Sequence, residues 1–268
     1  MTQEAAQQPP TQEPLSVDIV TIFPRFFTGP FEHGILRRAQ EAGLLKIEVH
    51  DLRQFASDRH RTVDDRPFGG EEGMVLKPEP LFQAVEHIQA RGERNGRVIL
   101  LSARGKLLCQ SLAAELAREK SLILLCGRYE GVDERVAEHL ADDEISIGDF
   151  ILSGGELAAA VLVDTVARLL PGALGNAASA VRESFAASDG GGNPLLLDWP
   201  HYTRPAAFRE MAVPDVLLSG DHRRIEQWRH RKALEKTWVN RPDLLAGAKL
   251  NTQQQQWLAE FEEEKERS

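Results

Sequence analysis

The alternation of short β-rich runs with helical patterns over residues 15–172 is the feature that most limits the fold of this chain. A chain that alternates strands and helices predicts an α/β domain with a largely parallel sheet. The predicted strands are Val17–Phe23, Leu45–His50, Arg97–Leu101, Ser121–Cys126 and Glu144–Ile147. The predicted helices are Phe31–Ala42, Glu79–Ala90, Gln110–Glu119, Val132–Leu140 and Gly155–Leu170, after which Pro171 and Gly172 stop the last helix.

The rest of the chain divides into three segments of different character. Residues 1–14 lack the basic and apolar regions of a signal peptide, which predicts a disordered tail. Residues 173–205 are rich in Gly, Ala and Ser, and an irregular segment of this length is typical of a functional or a disordered linker. Only helical patterns follow, so we predict a small all-helical domain over residues 206–268, with Ile225 and Trp228 as apolar anchors.

Composition and charge exclude some classes of function. The longest apolar stretch, residues 157–170, contains two charged residues and cannot span a membrane. Cys109 and Cys126 lack the spacing of a zinc site, and Cys126 ends an apolar run, which predicts a buried thiol in a reducing cytoplasm. The net charge of −9 argues against nucleic-acid binding by the chain as a whole. Residues 221–241, however, contain seven Lys or Arg against three acids, enough for a local phosphate-binding face.

Two glycine-containing loops follow predicted strands: CGRYEGVDERV (126–136) and SIGDFILSGGEL (146–157). Ligands of open α/β sheets bind at the carboxyl ends of strands, and glycines let the backbone approach a ligand closely. The double glycine before a helix could cradle a phosphate. Because a G-x-G-x-x-G fingerprint and a P-loop lysine are both missing, a dinucleotide site is disfavoured. The loops could instead hold an adenosine and a thioether, or be plain strand-to-helix turns.

For two further segments, composition alone does not decide between a functional and a structural interpretation. RHRTVDDRPFGGEEGM (59–74) combines arginines with glycines, which fits contacts to phosphates or guanine edges as well as a solvated loop. Asp164 and Arg168 are four residues apart on a predicted helix, and a surface ion pair between them is the simpler interpretation.

Seven stretches, in order through most of the chain, resemble the bacterial tRNA (guanine-37-N1)-methyltransferases of the SPOUT class. They are DIVTIFP, DRHRTVDDRPFGG, LLCGRYEGVDERV, EISIGDFILSGGEL, DTVARLLPGALG, PHYTRP and VPDVLLSGDH. The resemblance implies a deep trefoil knot in the sheet domain, which generic topology rules would exclude. It also implies S-adenosylmethionine as methyl donor, a homodimer with shared active sites, and a helical C-terminal domain that grips tRNA, preferably with G36 before G37.

The resemblance assigns binding residues as well. The implied cofactor contacts are Leu101, Ser102, Gly127, Tyr129, Glu130, Gly131, Ser146, Ile147, Gly148, Asp149, Phe150, Ile151, Leu152, Gly154 and Gly155. The implied substrate contacts are Arg59, His60, Arg61, Asp64, Tyr202, Arg204, Ser219 and His222.

The chemistry at guanine N1 requires two groups, because N1 carries a hydrogen that must leave before the nitrogen can attack. A base is needed near N1 and a positive group near O6. The family's arginine falls on Arg168, which displaces the ion-pair interpretation, since arginine stays protonated and presents a planar fork of donors. The family's aspartate base precedes Ser-Phe, where this chain has Glu183 with an additional methylene. We predict Glu183 as the base, with Asp198, otherwise assigned to positioning the guanine, as the competitor.

Metal and reaction alternatives complete the predictions. The resemblance implies a dependence on Mg²⁺, but the sequence contains no carboxylate cluster that we can assign as its site, so we predict no metal ligands. A non-catalytic RNA-binding protein of the same fold, a nucleotide-dependent oxidoreductase and a ribose 2′-OH methyltransferase remain as alternatives.

Overall fold

The computed structural model describes residues 13–70, 72–91, 96–174, 183–185 and 196–267. The chain divides into two compact units, Met1–Gly175 and Asn176–Ser268. Most of the predicted tail (1–14) and of the predicted linker (173–205) lies outside the described residues. None of the helices in the described ranges is long and apolar enough to cross a membrane.

The N-terminal unit is built on a five-stranded parallel sheet. Its strands in chain order are β1 (Leu15–Thr21), β2 (Leu45–Asp51), β3 (Asp64–Asp65), β4 (Val75–Leu76), β5 (Arg97–Leu107), β6 (Ser121–Cys126) and β7 (Asp143–Ser146). The parallel sheet has the order β2-β1-β6-β5-β7, and β3 and β4 form a separate antiparallel ladder. The α-helices are α1 (Gly34–Glu41), α2 (Pro78–Arg91), α3 (Gln110–Leu116), α4 (Glu134–His139) and α5 (Glu156–Ala167). Short 3-10 helices cover Pro24–Phe27, Pro30–Glu32 and Leu52–Phe55.

The predicted mixed α/β architecture with a parallel sheet is confirmed, and each predicted strand forms. β6 occupies the centre of the sheet, and its residues 122–125 are fully buried because helices cover both faces. Alternate β6 side chains enter different cores, Leu122 and Leu124 on one face and Ile123 and Leu125 on the other. Cys126 is buried as predicted, and burial raises the pKa of its thiol well above the usual range.

The C-terminal unit contains β8 (Ala207–Phe208), β9 (Met211–Ala212), α6 (Asp215–Leu218), α7 (His222–Asn240), a 3-10 helix (Pro242–Gly247) and α8 (Thr252–Arg267). The prediction of helices only was therefore wrong, because β8 and β9 pair in an antiparallel ladder. The turn between these two strands has two residues, and the first of them, Arg209, has a positive φ. The turn lacks the Asn or Gly that signals such turns in a sequence.

The core of this unit lies on the C-terminal half of α7. Leu234 packs with Trp257 and Phe261 of α8, and the Trp238 ring lies 5.8 Å from that of Phe261. The predicted anchors Ile225 and Trp228 are only partly buried and are not part of this cluster. The prediction failed here because α7 also carries Leu234 and Trp238, and periodicity does not tell which apolar residues meet α8.

Candidate active site

A cavity of about 550 Å³ opens at the ends of β6 and β7, beside residues 100–104 in the middle of β5. The residues predicted to contact the cofactor line this cavity, with the exception of Asp149. The lining also contains residues that the sequence reasoning missed, namely Leu100, Ala103, Arg104, Arg128, Val132, Glu134, Ile145, Ser153 and Ala158. The loops after β6 and β7 therefore meet residues 100–104 of β5 at one concave surface, as expected near the carboxyl edge of a parallel sheet.

The loop after β6 has a backbone shape that depends on left-handed residues. Tyr129 has φ +60° and Gly131 has φ +127°. The amide of Glu130 donates to the carbonyl of Met74 at 3.0 Å, and the amide of Leu76 donates to the carbonyl of Gly131 at 3.0 Å. The β3–β4 ladder is thus hydrogen-bonded to the wall of the cavity.

The loop after β7 is shaped by Ser146 and by the double glycine. The Ser146 hydroxyl donates to the carbonyl of Gly148 at 3.0 Å and accepts from its amide at 3.2 Å, so it stabilises the turn. The amide of Gly155 donates to the carbonyl of Gly127 at 2.9 Å, and a methyl group on Gly155 would lie 2.8 Å from Cα of Cys126. A glycine is needed here because two loops pack backbone against backbone, which accounts for Gly155 without a phosphate ligand.

Glu156, the residue directly after the double glycine, is buried with 2% of its surface exposed. It accepts a hydrogen bond from the hydroxyl of Thr21 at 2.8 Å and lies 3.3 Å from Nε of Arg128. Its signal in the sequence is an acid in the first turn of a mostly apolar helix.

The predicted substrate residues of the N-terminal unit lie in β3 and in the turn before it. Arg59, His60 and Arg61 are exposed in a turn organised by Asp58. The Asp58 carboxylate accepts from the amide of Thr62 at 2.8 Å and from that of His60 at 3.1 Å, and these bonds lower its pKa. Asp64 lies on β3, opposite Leu76 of β4, the strand that is bonded to the Gly131 loop.

The predicted catalytic residues occur in both units. Arg168 follows α5 in the N-terminal unit, where its amide donates to the carbonyl of Asp164 at 3.3 Å, and it is not among the residues lining the cavity. Glu183 and Asp198 lie in the C-terminal unit. The carboxylate of Asp198 accepts from the amide of Trp199 at 2.8 Å and lies 2.9 Å from Nε2 of His201.

The predicted substrate residues of the C-terminal unit are all exposed. They are Tyr202, Arg204, Ser219 and His222. The Tyr202 ring lies 6.3 Å from that of Trp228, and Asp221 caps α7 by accepting from the amide of Arg224 at 3.1 Å. His222 is the first residue of that helix, so its backbone amide points out of the positive end of the helix dipole.

The basic residues of α7 fall into two groups. Arg231 pairs with Glu260 at 3.0 Å and Lys232 pairs with Glu235 at 2.6 Å, while the guanidinium of Arg229 lies 5.1 Å from the Trp199 ring centre. Arg223 and Arg224 are exposed at the first turn. The first turn of α7 is therefore the best-placed part of the helix for an external anion.

One group of three side chains in the described ranges could hold a metal ion: Asp18, Glu48 and His50. The sequence did not reveal it because the residues lie on neighbouring strands, with Asp18 opposite Glu48 in the register. Asp18 and His50 are 2.7 Å apart, and Glu48 pairs with Arg91 at 3.2 Å. None of the three lines the cavity, and their mutual pairing accounts for them without an ion.

Comparison with known proteins identifies the family. Residues 15–247 match the family model described as tRNA (Guanine-1)-methyltransferase TrmD. A tRNA (guanine-N(1)-)-methyltransferase of Koribacter versatilis is 58% identical, over 92% of this chain and 98% of the relative, and one of Anoxybacillus flavithermus is 51% identical over the same shares. The crystal structure of the tRNA (m1G37) methyltransferase from Aquifex aeolicus matches with a TM-score of 0.70 at 39% identity, covering 87% of this chain and 96% of that one. The chain therefore belongs to the tRNA (guanine-1)-methyltransferase family.

Proposed function

We propose that this protein transfers a methyl group from S-adenosylmethionine to N1 of guanosine 37 in tRNA in the cytoplasm. The observation that carries the proposal is the cavity at the ends of β6 and β7, beside residues 100–104 of β5, which is lined by the motif residues of a family whose relatives are named for methylation of guanine N1. The Aquifex aeolicus structure, named for m1G37, supports position 37.

The chemistry of the cavity fits S-adenosylmethionine. Leu101, Ile147 and Leu152 offer apolar contacts, and the glycine-containing loops offer backbone amides and carbonyls. S-adenosylmethionine, when bound, supplies an electrophilic methyl group on a sulfonium. The lining contains two acids, Glu130 and Glu134, and two arginines, Arg104 and Arg128. Arg104 pairs with Glu134 at 2.9 Å and Arg128 lies 3.3 Å from Glu156, so the cavity lacks the surplus of positive charge that suits the phosphates of a dinucleotide. This fit favours methyl transfer over the oxidoreductase alternative.

The residues of the chain have distinct roles in the proposed reaction. Glu183 accepts the proton from N1, and Arg168 donates hydrogen bonds to O6, where negative charge builds up as the proton leaves. Asp198 holds the guanine, because its two carboxylate oxygens are already fixed by Trp199 and His201. A carboxylate held in this way is better suited to orienting a base than to taking up a proton. The RNA is contacted by the exposed or partly exposed residues assigned to the substrate, which are Arg59, His60, Arg61, Asp64, Tyr202, Arg204, Ser219 and His222.

A homodimer with shared active sites is part of the proposal. α5 leaves large apolar side chains exposed on one face, with Leu157 50% and Val161 45% exposed one helical turn apart, and Ile151 in the preceding loop is 84% exposed. An apolar face on a helix beside a functional cavity fits a second copy of the chain. Sedimentation of Val161→Glu tests this, since a charge in the interface should give monomers without activity.

The proposal also covers the finer architecture. We infer a deep trefoil knot in the N-terminal unit, supported by the return of the chain after β7 to pack Gly155 against the Gly127 loop. We infer that the segment 173–205 orders over the target base and that residues 206–268 bind tRNA.

We assign no site to Mg²⁺, and a comparison of rates with added magnesium and with EDTA tests the implied dependence.

The deciding experiment is single-turnover transfer from labelled S-adenosylmethionine to a tRNA transcript carrying G36 and G37, followed by mapping of the methylated atom. N1-methylguanosine at position 37, absent from a transcript with A37, is the expected product, and an A36 transcript should react more slowly. Methylated ribose would establish the 2′-OH alternative instead. Cofactor binding without any transfer would leave the non-catalytic RNA-binding alternative.

A further inference from the structure

A buried carboxylate without a role in the proposed chemistry directly follows Gly155, a residue that lines the cavity. Glu156 is only 2% exposed and begins α5, a helix whose other buried residues are apolar. Burying a charged group is costly unless it is paired and hydrogen-bonded. A carboxylate in such a place therefore calls for an account of its partners.

The partners of Glu156 connect three parts of the chain. One carboxylate oxygen accepts from the hydroxyl of Thr21, at the end of β1, and the other lies 3.3 Å from Nε of Arg128, in the loop after β6. Arg128 in turn donates from Nη1 to the carbonyl of Ser153 at 2.7 Å, in the loop after β7. Its guanidinium also lies 4.5 Å from the ring centre of Phe23. Arg128 thus spans the two loops, and Glu156 holds it from the buried side.

Gly154 provides the room for this pair. A methyl group on Gly154 would lie 2.5 Å from the carboxylate oxygen Oε2 of Glu156 and would also collide with the side chain of Arg128. Residue 154 also forms an isolated antiparallel bridge with residue 128. The first glycine of the pair is thus explained by the Arg128–Glu156 contact, as the second is explained by the approach to β6.

We propose that Glu156 is a positioning residue of the cofactor site, oriented by Thr21 and acting through Arg128 on the loops after β6 and β7. The proposal rests on the proposed function for its ligand, S-adenosylmethionine. A guanidinium presents donors in a fixed fork, so the direction of its bond to Ser153 depends on the carboxylate that fixes its Nε edge. Removing that charge loosens the contact between the two loops and widens the cavity that they line.

The test is calorimetric binding of S-adenosylmethionine to the full-length protein without tRNA. Glu156→Gln keeps the size and an acceptor for Thr21 but removes the charge beside Arg128, and we expect affinity weaker by about tenfold or more, because it leaves a partly buried arginine without its ion-pair partner. Glu115→Gln is the matched control, because Glu115 is an exposed partner of Arg97 away from the cavity. Its affinity should equal that of the wild type.

A second pair of variants keeps the test valid if Glu156→Gln fails to fold. Thr21→Val removes the hydroxyl with little change in shape, whereas Thr21→Ser retains it. We expect weaker cofactor binding for Thr21→Val and recovery for Thr21→Ser, with both thermal unfolding midpoints close to each other. Wild-type affinity in folded Glu156→Gln, or equal affinities for Thr21→Val and Thr21→Ser, would overturn the proposal and reduce Glu156 to a structural residue.

The outcome is separable from that of the proposed function. Weaker binding by the variants, together with a wild type that methylates an atom other than N1 of guanosine 37, would support the role of Glu156 and reject the proposed reaction. If the wild type methylates N1 and Glu156→Gln binds the cofactor as tightly as the wild type, the proposed reaction is supported and the role of Glu156 is rejected.

Discussion

The backbone amide of Asp198 donates to the hydroxyl of Ser184 at 2.9 Å, and Ser184 directly follows Glu183 in the chain. A second bond, from the amide of Phe185 to the carbonyl of Leu196 at 3.4 Å, runs between the same two segments. The two carboxylates that compete for the role of base therefore occupy one small region of the C-terminal unit. The carboxylate of Asp198 is also bonded to Trp199 and His201 within its own segment.

We expect Glu183→Gln to slow single-turnover methyl transfer by a factor of ~10² or more, within the range of a lost general base. Glutamine retains size and hydrogen bonding but cannot accept the proton, so tRNA affinity should change little. Asp198→Asn should instead weaken tRNA binding more than it slows transfer. Near wild-type transfer by Glu183→Gln, together with a large loss in Asp198→Asn, would exchange the two roles.

Gly155→Ala and Gly127→Ala should separate a packing glycine from a ligand-contacting one. The added methyl group on Gly155 would lie 2.8 Å from the backbone of Cys126, and we expect a loss of about 2 kcal/mol in the free energy of unfolding from overpacking. At Gly127 the nearest atom would be 3.5 Å away, so stability should be retained. Gly127→Ala should weaken only S-adenosylmethionine binding, as measured by calorimetry. Equal stabilities in chemical denaturation would contradict this distinction.

The double variant Arg223→Gln and Arg224→Gln should weaken tRNA binding uniformly across tRNA sequences. Each phosphate contact removed should reduce the magnitude of the negative slope of log affinity against log salt concentration by about 1. Arg231→Gln is the control, because Arg231 is engaged with Glu260 in the same helix pair. Filter binding between low and moderate salt provides the slopes, and an unchanged slope in the double variant would remove the start of α7 from the RNA-binding surface.

Asp143→Asn should destabilise the edge of the sheet in a pH-dependent way. Burial opposes ionisation of Asp143, but hydrogen bonds from Lys106 and Arg97 outweigh it and lower its pKa. The folded pKa is below the unfolded value of about 3.9, so the stabilisation is present above that value and is lost as pH falls through the folded pKa. We expect a loss of about 2 kcal/mol at pH 7, as for hydrogen bonds to a charged group.

The pH profile of that difference is the measurement. Unfolding free energies of the wild type and of Asp143→Asn should begin to converge as pH falls below the ordinary pKa of aspartate, and should meet only below the lowered pKa of the folded state. Glu115→Gln removes a more exposed partner of the same Arg97 and should cost less. A difference that persists unchanged at acid pH would mean that the amide disturbs packing rather than charge.

The sequence predicted those elements whose physical cause is local. β6 was predicted with its observed bounds because each of its residues from 122 to 125 is apolar and buried on both faces. β5 continues to Leu107 through the segment SARGK (102–106), which has no strand pattern of its own, and this extension pairs with β7 after a shift in register. Pairing of that kind has no signature in the segment itself.

The site was predictable only through its motifs. Periodicity placed the loops at the carboxyl ends of strands, and the resemblance supplied the particular residues that the cavity brings together. The partners of Glu156 could not be read from either source, because Thr21 is separated from it by 135 positions in the chain. Nor did any pattern predict that Asp18 and His50 meet across neighbouring strands.

Hydrogen bonds join β4 to the loop at Gly131, and β4 pairs with β3, the strand that contains Asp64. The proposed cofactor surface and the proposed RNA surface therefore share this hydrogen-bonded element. A ligand that orders a shared element reduces the entropy that a second ligand must remove. Cofactor and RNA would then raise each other's affinity by the same factor, since thermodynamic linkage is reciprocal. Discrimination between correct and incorrect RNA would be expressed as tighter retention of the methyl donor, before any bond to carbon is broken.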